Sequence, residues 1–452
     1  MSLSSADVVS VLRALCLLLV AAHGTGHVFA RLRQPRVIGE IAGGLLLGPT
    51  VLGALAPGVQ ADLFPAGGTA AVLGGIYQLG LVFLMFQAGQ ELGPSAEGSE
   101  RRTVAWVTSF GLVIPLGAGI AAALALDSGS YSGPSGTRTT FVLVFGIGIA
   151  VTSIPVISRI MLDLGILRTP FARTVLSVAV VEDLVLYVLL AVTLGLAHTG
   201  TSSAVGLVAF LGVTSTTAIS ILYVLGALLL FAGALIWGGP VYAVLVRLVG
   251  RREPTALRLT FLLVVVLCCV FLSLNPVFGA LAAGLSISRG EQRLAGSDPA
   301  LSRAGATAQE AMRRFSLAFF IPIYFALIGL GLNLQRDLAP AFLAGLFGFG
   351  CVVKGTSVWL GARLAGVDRT VALDLAVALN ARGGPGIVLA SVTLAAGVID
   401  QAFFTSLVLL SVLSSQLAGT WLTYTRTRGS AESDPVRTAG AGSSGPTDQW
   451  WK

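Results

Sequence analysis

Long apolar runs follow one another through most of the chain, with only short polar gaps between them. About 20 apolar residues are enough for a helix to cross the hydrocarbon core of a bilayer. Of the 452 residues, 55% are hydrophobic and only 11% are charged, a balance more apolar than that of a soluble domain. Since backbone groups in lipid must hydrogen-bond within the protein, this pattern predicts an all-α polytopic membrane protein.

The lengths of the apolar runs predict about thirteen transmembrane spans. They cover residues 7–29, 36–53, 70–92, 103–126, 139–162, 172–197, 221–248, 256–273, 276–289, 312–333, 339–363, 370–397 and 402–425. The second and ninth spans are short, so we expect them to pack inside the bundle. The stretch 198–220, rich in Ser, Thr and Gly, is either a loop or part of a further span.

Basic residues predict the orientation of these spans. Gaps after odd-numbered spans and the tail hold most of them: Arg31, Arg33, Arg36, Arg101, Arg102, Arg168, Arg251, Arg252, Arg289, Arg293, Arg303, Arg369, Arg426, Arg428, Arg437 and Lys452. Gaps after even-numbered spans hold only Arg138 and Arg336. The positive-inside rule then places the N-terminus outside and the C-terminus in the cytoplasm of a multi-pass cell-membrane protein. It also explains the net charge of +7 without a nucleic-acid partner.

The order of the spans predicts two repeats inside one transmembrane domain, residues 1–428. Spans one to six (about 7–197) and eight to thirteen (about 256–425) are separated by a single linker span at about 221–248. One linker crossing starts the second set on the opposite side of the membrane, as an inverted repeat requires. The polar, Gly/Ser-rich residues 429–452 are predicted to form a disordered cytoplasmic tail.

Two adjacent carboxylates lie in the middle of the sixth span, in the run 173-RTVLSVAVVEDLVLYVLLAVTLGLA-197. An ionised carboxylate at membrane depth costs at least ~2.5 kcal/mol on insertion scales, so it faces a protein interior or a water-filled cavity. Asp183 and Glu182 are therefore the first candidates for an ion-binding or proton-binding site.

Two other spans contain helix breakers at corresponding places. In span five, Pro155 removes a backbone donor, and the hydroxyls of Thr152 and Ser153 can bond to backbone groups freed by a break. Span twelve carries Asn380, Arg382, Gly383, Gly384, Pro385 and Gly386 together. Broken helices at membrane depth line cavities in transporters, where their ends supply carbonyl oxygens and dipoles. The alternative is a pair of proline kinks used for packing.

The remaining polar residues give weaker signals. Lys354 lies well inside span eleven, and its side chain either reaches the cytoplasmic surface or supplies a supporting charge to the site. His23 and His27 lie one turn apart, but no further ligand completes a metal set, so neither a metal nor a cofactor is predicted. The four cysteines fall inside apolar spans, and no protease or hydrolase motif indicates an enzyme.

Several stretches together resemble the cation/proton antiporter superfamily, in particular its Kef-like and NapA-like branch. They are 36-RVIGEIAGGLLLGPTVLG-53, 80-GLVFLMFQAGQEL-92, 152-TSIPVISRIMLDLGIL-167, 277-VFGALAAGLSIS-288, 319-FFIPIYFALIGLGLNL-334, 354-KGTSVWLGARLAG-366 and 380-NARG-383. The resemblance covers residues 8 to 425, and the motifs occur in the order typical of the family.

This resemblance implies an NhaA-like inverted repeat, in which a core domain with two broken crossing helices moves against a dimerisation domain in a homodimer. It also implies roles for single residues. Asp183 falls on the family's essential aspartate, Thr152 and Ser153 on the unwound segment beside it, and Asn380 and Arg382 on the second broken helix.

The sequence departs from the family pattern in two ways. The position before the aspartate is usually Asp, Asn or Gln, and here it is Glu182. Members with two acidic residues there often carry a lysine on the span that is 312–333 here, and this span has none. Two titrating carboxylates would carry two protons per cation, whereas a permanently paired Glu182 would leave a one-for-one exchange.

The sequence therefore predicts a secondary transporter that exchanges Na⁺ or K⁺ for H⁺, with proton and cation competing for Asp183. Two alternatives remain open at this point. One is a Kef-like potassium efflux pathway, and the other is proton-coupled export of an organic cation or another small molecule, which the same fold supports with a wider cavity.

Overall fold

Helices make up almost all of the residues that the computed structural model describes, namely 4–32, 34–91, 100–126, 128–166, 169–197, 225–226, 228–248, 253–272, 274–295 and 299–432. They are α1 (Ser5–Arg31), α2 (Arg36–Leu47), α3 (Leu52–Leu55), α4 (Pro57–Leu63), α5 (Gly68–Glu91), α6 (Glu100–Ala125), α7 (Arg138–Ala150), α8 (Ile154–Asp163), α9 (Pro170–Ala197), α10 (Leu228–Leu248), α11 (Pro254–Phe271), α12 (Pro276–Ala295), α13 (Pro299–Phe315), α14 (Ile321–Gly331), α15 (Leu334–Asp337), α16 (Pro340–Leu364), α17 (Arg369–Ala378), α18 (Gly383–Ala395) and α19 (Gln401–Glu432). Ser316–Phe320 forms a π-helical link between α13 and α14.

Within the described residues, 11 helical segments are long and apolar enough to cross a membrane. This confirms a polytopic, almost entirely helical membrane protein but not the predicted count of thirteen spans. The two other predicted spans are the fifth, which is divided into α7 and α8, and the ninth, which is α12. Three charged residues near the end of α12 reduce its apolar length: Arg289, Glu291 and Arg293.

Two parts of the predicted organisation lie outside the described residues. The uncertain stretch 198–220 is one of them, so its assignment as a loop or a span stays open. Most of the predicted tail is the other: α19 extends as a helix to Glu432, and residues 433–452 are not described.

Helix starts follow simple sequence signals. Pro57, Pro254 and Pro340 each stand in the first turn of a helix, where the missing backbone N–H costs nothing. At the start of α7, the Thr137 hydroxyl accepts from the backbone N–H of Thr140 at 3.2 Å, and the Thr140 hydroxyl accepts from that of Thr137 at 2.8 Å. This capping box fixes the point at which α7 begins.

Two transmembrane helices are interrupted, as the sequence predicts. The first interruption, residues 151–153, separates α7 from α8, and Val151 there is extended with ψ of 142°. Pro155 is the second residue of α8, a position that proline tolerates because the first-turn N–H has no partner inside the helix. The second interruption, residues 379–382, separates α17 from α18.

The chain folds into two compact units. The first comprises Met1–Val28, Arg36–Gly93 and Leu194–Gln335, and within it α2 packs against α14 and α5 against α12. The second comprises Phe29–Pro35, Pro94–Thr193 and Arg336–Lys452. Within this second unit α6 packs against α7 and α16, and both interruptions and both carboxylates lie there.

Candidate functional site

Glu182 and Asp183 lie in the middle of α9 and are both buried, with exposed fractions of 0% and 2%. Successive residues of an α-helix are rotated by about 100° relative to each other, so the two carboxylates point in different directions. The residues that contact Glu182 come from α6, α16 and the first helix interruption, all within the second unit.

Glu182 forms a buried ion pair with Lys354 of α16. The Lys354 ammonium donates to Glu182 Oε2 at 2.8 Å, and both side chains have an exposed fraction of 0%. Of the two alternatives for Lys354, the structure therefore excludes a side chain that reaches the cytoplasmic surface and agrees with a supporting charge at the site. The span at 312–333 has no lysine, as the sequence shows, and the lysine that pairs with Glu182 comes from α16 instead.

Lys354 also donates to two backbone carbonyls, those of Gly111 at 2.8 Å and Ala150 at 2.7 Å. An ammonium has three hydrogens, and together with Glu182 these carbonyls provide three acceptors. Ala150 is the last residue of α7, so the lysine places its charge at the negative end of this half-helix. A β-carbon at Gly111 would lie 2.8 Å from Glu182 Oε1, so glycine there leaves room for the ion pair.

Arg382, in the second interruption, is fully buried and uses its guanidinium on backbone oxygens. Nε donates to Gly148 O at 3.1 Å, and Nη2 donates to Ile149 O at 3.0 Å and Gly350 O at 2.9 Å. Nη1 donates to both the backbone oxygen and the side-chain Oδ1 of Asn380, at 3.1 and 3.2 Å. The arginine thus compensates the carbonyl ends of both interrupted helices.

Asn380 supports this arginine and closes the end of α17. Its side-chain amide donates to Ala376 O at 3.1 Å and to Cys351 O at 3.2 Å, while its Oδ1 accepts from Arg382. Asn380 therefore satisfies a carbonyl oxygen at the end of α17 and helps to orient the Arg382 guanidinium.

Thr152 and Ser153 join the two interruptions. The Thr152 hydroxyl lies 2.7 Å from Glu182 Oε2 and 2.8 Å from the carbonyl oxygen of Leu379, so it can donate to either. The Ser153 hydroxyl accepts from the backbone N–H groups of Val156, at 3.4 Å, and Gly384, at 3.2 Å. One serine therefore caps the first turns of α8 and α18 together.

Gly383 permits the two interruptions to approach each other. Its φ of +29° is a conformation that residues with a β-carbon rarely adopt. A β-carbon there would also overlap Val156 and lie 2.6 Å from the Ser153 hydroxyl oxygen. Glycine is required at this position both by the backbone angle and by the available space.

The structure brings most of the predicted site residues into one network: Thr152, Ser153, Glu182, Lys354, Asn380 and Arg382. Asp183 follows Glu182 on α9 and interacts electrostatically with Lys354. The site thus combines two acidic and two basic side chains, whose formal charges cancel when all four are ionised. His23, by contrast, is in the first unit, where its Nε2 lies 2.9 Å from Ala318 O.

Sequence reasoning missed two serines of α19 that contact the second interruption. Ser414 accepts from the backbone N–H of Arg382 at 3.3 Å, and Ser415 accepts from that of Gly383 at 3.2 Å. A signal was present, because Ser411, Ser414 and Ser415 occupy i, i+3 and i+4 positions in the otherwise apolar run 407-LVLLSVLSS-415. This spacing puts the three hydroxyls on one helix face.

Comparison with known proteins gives a consistent set of relatives. The family model described as "Sodium/hydrogen exchanger, transmembrane" matches residues 15–426. The Na(+)/H(+) antiporter NhaS4 of Synechocystis is 27% identical over 401 residues, which cover 86% of this chain and 90% of the relative. The K(+)/H(+) antiporter 1 of Saccharomyces cerevisiae is also 27% identical, over 88% of this chain but only 44% of the relative.

A bacterial relative, the Na(+)/H(+)-K(+) antiporter GerN of Bacillus cereus, is 22% identical over 91% of this chain and 95% of its own length. Among solved structures, the sodium proton antiporter MjNhaP1 from Methanocaldococcus jannaschii superposes with a TM-score of 0.61. The superposition covers 93% of this chain and 99% of that protein at 17% sequence identity, and it shows a shared fold.

Proposed function

Since the chain belongs to the sodium/hydrogen exchanger family, we propose that it exchanges a monovalent cation, Na⁺ or K⁺, for H⁺ across the membrane. Membership confirms the resemblance to cation/proton antiporters that the sequence motifs indicate. Relatives named as Na⁺/H⁺, K⁺/H⁺ and Na⁺/H⁺-K⁺ antiporters support a monovalent cation as the substrate and leave the choice of ion to experiment.

Asp183 is the proposed exchange site, and one observation carries this assignment. The protein's own cations, Lys354 and Arg382, already occupy Glu182 and the carbonyl ends of the interrupted helices. We assign the competition between a proton and a transported cation to Asp183, the neighbouring buried carboxylate of α9, which falls on the essential aspartate of the family motif. Each of the two neutralises Asp183, so each produces a loaded site that can cross between the two access states.

Alternating access needs an element that moves while the site stays intact. The contacts that form the site all lie within the second unit, which contains both interrupted helices. We propose that this unit is the moving core and that the first unit is the dimerisation domain of a homodimer. In α1 only one stripe is buried, at Val11, Ala14, Leu18, Ala22 and Gly26, which leaves a large apolar face for lipid or for a second copy.

The ion pair suggests the stoichiometry of exchange. Glu182 Oε2 accepts from Lys354, all of whose hydrogens have acceptors, so this pair has little reason to dissociate during transport. With Glu182 and Lys354 remaining paired, Asp183 alone is loaded and unloaded. We therefore propose one proton per monovalent cation, with the inverted repeat, the outside N-terminus and the cytoplasmic C-terminus as the sequence predicts.

The exchange is tested in proteoliposomes that contain a pH-sensitive dye and an imposed proton gradient. Na⁺, K⁺ or Li⁺ is added in turn to wild type and to Asp183→Asn. We expect one or more of these cations to dissipate the gradient in wild type. In Asp183→Asn we expect the signal to fall to that of empty liposomes, because the amide neither titrates nor binds a cation as a carboxylate does.

A fold control is needed for this variant. Asp183→Asn should elute as wild type does in size-exclusion chromatography. Normal exchange by the Asn variant would contradict the assignment of the site. If none of the three ions dissipates the gradient in folded wild-type protein, export of an organic cation becomes the leading function, and organic cations are tested in the same assay.

A further inference from the structure

We propose that Ser414 and Ser415 of α19 are positioning residues for cation exchange, because they hold the second helix interruption in the shape that places Arg382. The inference rests on the proposed function of the site. Neither serine bonds to Glu182 or Asp183 in the part of the chain that the structure describes, so their effect passes through the backbone of Arg382 and Gly383.

The first turn of α18 needs acceptors for backbone N–H groups that have no partner inside the helix. Gly383 N–H donates to the Ser415 hydroxyl at 3.2 Å, and Gly384 N–H donates to the Ser153 hydroxyl at 3.2 Å. Pro385 has no N–H, and Gly386 N–H donates to Arg382 O at 3.2 Å. The turn is therefore satisfied, and two of its three donors depend on serine hydroxyls.

These hydroxyls are neutral acceptors, which matters next to a cation site. A carboxylate at the same place would add a negative charge within the site and compete with Asp183 for the transported cation. A hydroxyl satisfies the same N–H group without changing the net charge. The serines of α19 thus provide acceptors for the first turn of α18 without adding a charge to the two acidic and two basic side chains of the site.

The hydroxyls are themselves oriented by α19. Ser415 donates to the Ser411 carbonyl oxygen at 2.7 Å, and Ser414 donates to the same oxygen at 3.3 Å. Because each hydroxyl hydrogen is directed to that carbonyl, the lone pairs are directed to Arg382 N–H and Gly383 N–H. Both serines therefore have a defined donor and acceptor geometry.

Hydrogen bonds therefore fix both the backbone and the guanidinium of Arg382. Its backbone N–H donates to Ser414 at 3.3 Å, and its guanidinium donates to the carbonyl ends of α7 and α17. A shift of the backbone would move the guanidinium away from Ile149 O and Gly148 O. The same shift would move Leu379 O, which lies 2.8 Å from the Thr152 hydroxyl, and through Thr152 it would reach Glu182, the neighbour of Asp183 on α9.

The test compares Ser414→Ala, Ser415→Ala and the double variant with Ser406→Ala. Ser406 is a matched control, because it is buried on the same helix and its hydroxyl donates only to Ala402 O, at 2.9 Å, within the described contacts. We measure the apparent KM for the cation, the maximal rate and the melting temperature. We also measure the cation concentration that gives half of the cation-induced rise in melting temperature.

We expect the double variant to raise the apparent KM about three- to tenfold, the size of losing one or two net hydrogen bonds. The half-stabilising cation concentration should rise by a similar factor, while Ser406→Ala stays at the wild-type value. Ser415→Thr keeps the hydroxyl, so it should restore the wild-type KM. If the double variant does not fold, the apparent KM values of the two single alanine variants and of Ser415→Thr are compared instead.

Two results would overturn the proposal. One is a wild-type KM and half-stabilising concentration in folded Ser414→Ala and Ser415→Ala. The other is a lower melting temperature and rate with KM unchanged, which is what a purely structural contact would give. Failure of the proposed exchange looks different, because wild type itself would then not dissipate the gradient, whereas failure of this proposal leaves wild-type exchange intact.

Discussion

At the scale of single residues, the site depends on charges that neutralise each other inside the protein. A buried ion pair is worth little relative to an apolar pair of the same size, but removing one partner leaves an uncompensated charge and is strongly destabilising. Glu182 and Lys354 are both fully buried, so this asymmetry applies to them in full. We therefore expect a substitution of either residue alone to destabilise the protein.

The pair makes a direct prediction for stability. Lys354→Met leaves Glu182 buried without its partner, and we expect a loss of about 3–5 kcal/mol. The double variant Glu182→Gln/Lys354→Met removes both charges, so it should lose much less. Unfolding of purified protein in detergent, followed by intrinsic fluorescence, measures the difference. Equal losses in the single and double variants would contradict a pair in which each charge compensates the other.

The same double variant tests the proposed stoichiometry. If Asp183 alone is loaded, wild type and Glu182→Gln/Lys354→Met both exchange one proton per cation, and an imposed membrane potential changes neither rate. The measurement is the exchange rate in proteoliposomes with and without a potassium diffusion potential, set with an ion other than the transported one. A potential-dependent wild type and a potential-independent double variant would instead assign a second proton to Glu182.

At the scale of elements, the two interrupted helices are tied to each other at a second place, away from the carboxylates. The segment that precedes α7 pairs with the loop that follows α18. Gly133 N–H donates to Val398 O at 3.0 Å, Ser135 N–H to Gly397 O at 2.8 Å, and Asp400 N–H to Tyr131 O at 3.0 Å. This clasp, residues 131–135 with 397–400, joins the far ends of α7 and α18.

Gly397 is a position at which the backbone conformation makes the clasp sensitive to substitution. Its φ is +68°, and a β-carbon there would lie 3.1 Å from the Ser135 hydroxyl oxygen. We expect Gly397→Ala to lower the free energy of unfolding by about 1–2 kcal/mol, because an L-residue is strained in this region. Thermal unfolding in detergent measures the change.

The control for this variant is Gly345→Ala, on a glycine inside α16 with no atom near its would-be β-carbon. Alanine is favoured over glycine in a helix, so Gly345→Ala should be neutral or stabilising. A Gly397→Ala protein as stable as the Gly345→Ala protein would contradict the strain that we assign to an L-residue at position 397.

At the scale of the whole molecule, helix pairing supports the proposed inverted repeat. In the first unit α2 packs against α14 and α5 against α12, which are predicted spans two with ten and three with nine. In the proposed repeat, spans one to six correspond in order to spans eight to thirteen, so span two corresponds to span nine and span three to span ten. This correspondence converts the pair of spans two and ten into the pair of spans nine and three. In the second unit α6 packs against α16, spans four and eleven, and this pair maps onto itself. Each unit thus contains parts of both repeats.

Membrane orientation is a prediction for the intact protein. The distribution of arginines places the C-terminus in the cytoplasm. A green fluorescent protein fused to the C-terminus should therefore be fluorescent in bacterial cells, and alkaline phosphatase fused there should be inactive. The opposite pair of results would reverse the proposed orientation, and with it the assignment of the loops around Arg138 and Arg336 to the outside.

Much of this protein follows from its sequence, because a bilayer allows few solutions. Apolar runs long enough to cross a membrane must be helices, and a carboxylate inside one of them must serve a site. The two interruptions follow from local chemistry as well, because proline lacks a backbone N–H and glycine has a low helix propensity, so both disfavour a continuous helix through these positions. Asp183, Glu182, Thr152, Ser153, Asn380 and Arg382 could all be selected on these grounds before any helix was packed.

Tertiary structure alone decided which charges meet. Lys354 is 171 positions or more from both carboxylates, and whether it reaches a surface or a buried glutamate depends on how α16 packs beside α6 and α9. Likewise Ser414 and Ser415 bond to an interruption in another helix. Local sequence fixes a residue's helix and depth, whereas its partner depends on the rotation and register of two packed helices, which only the folded chain sets.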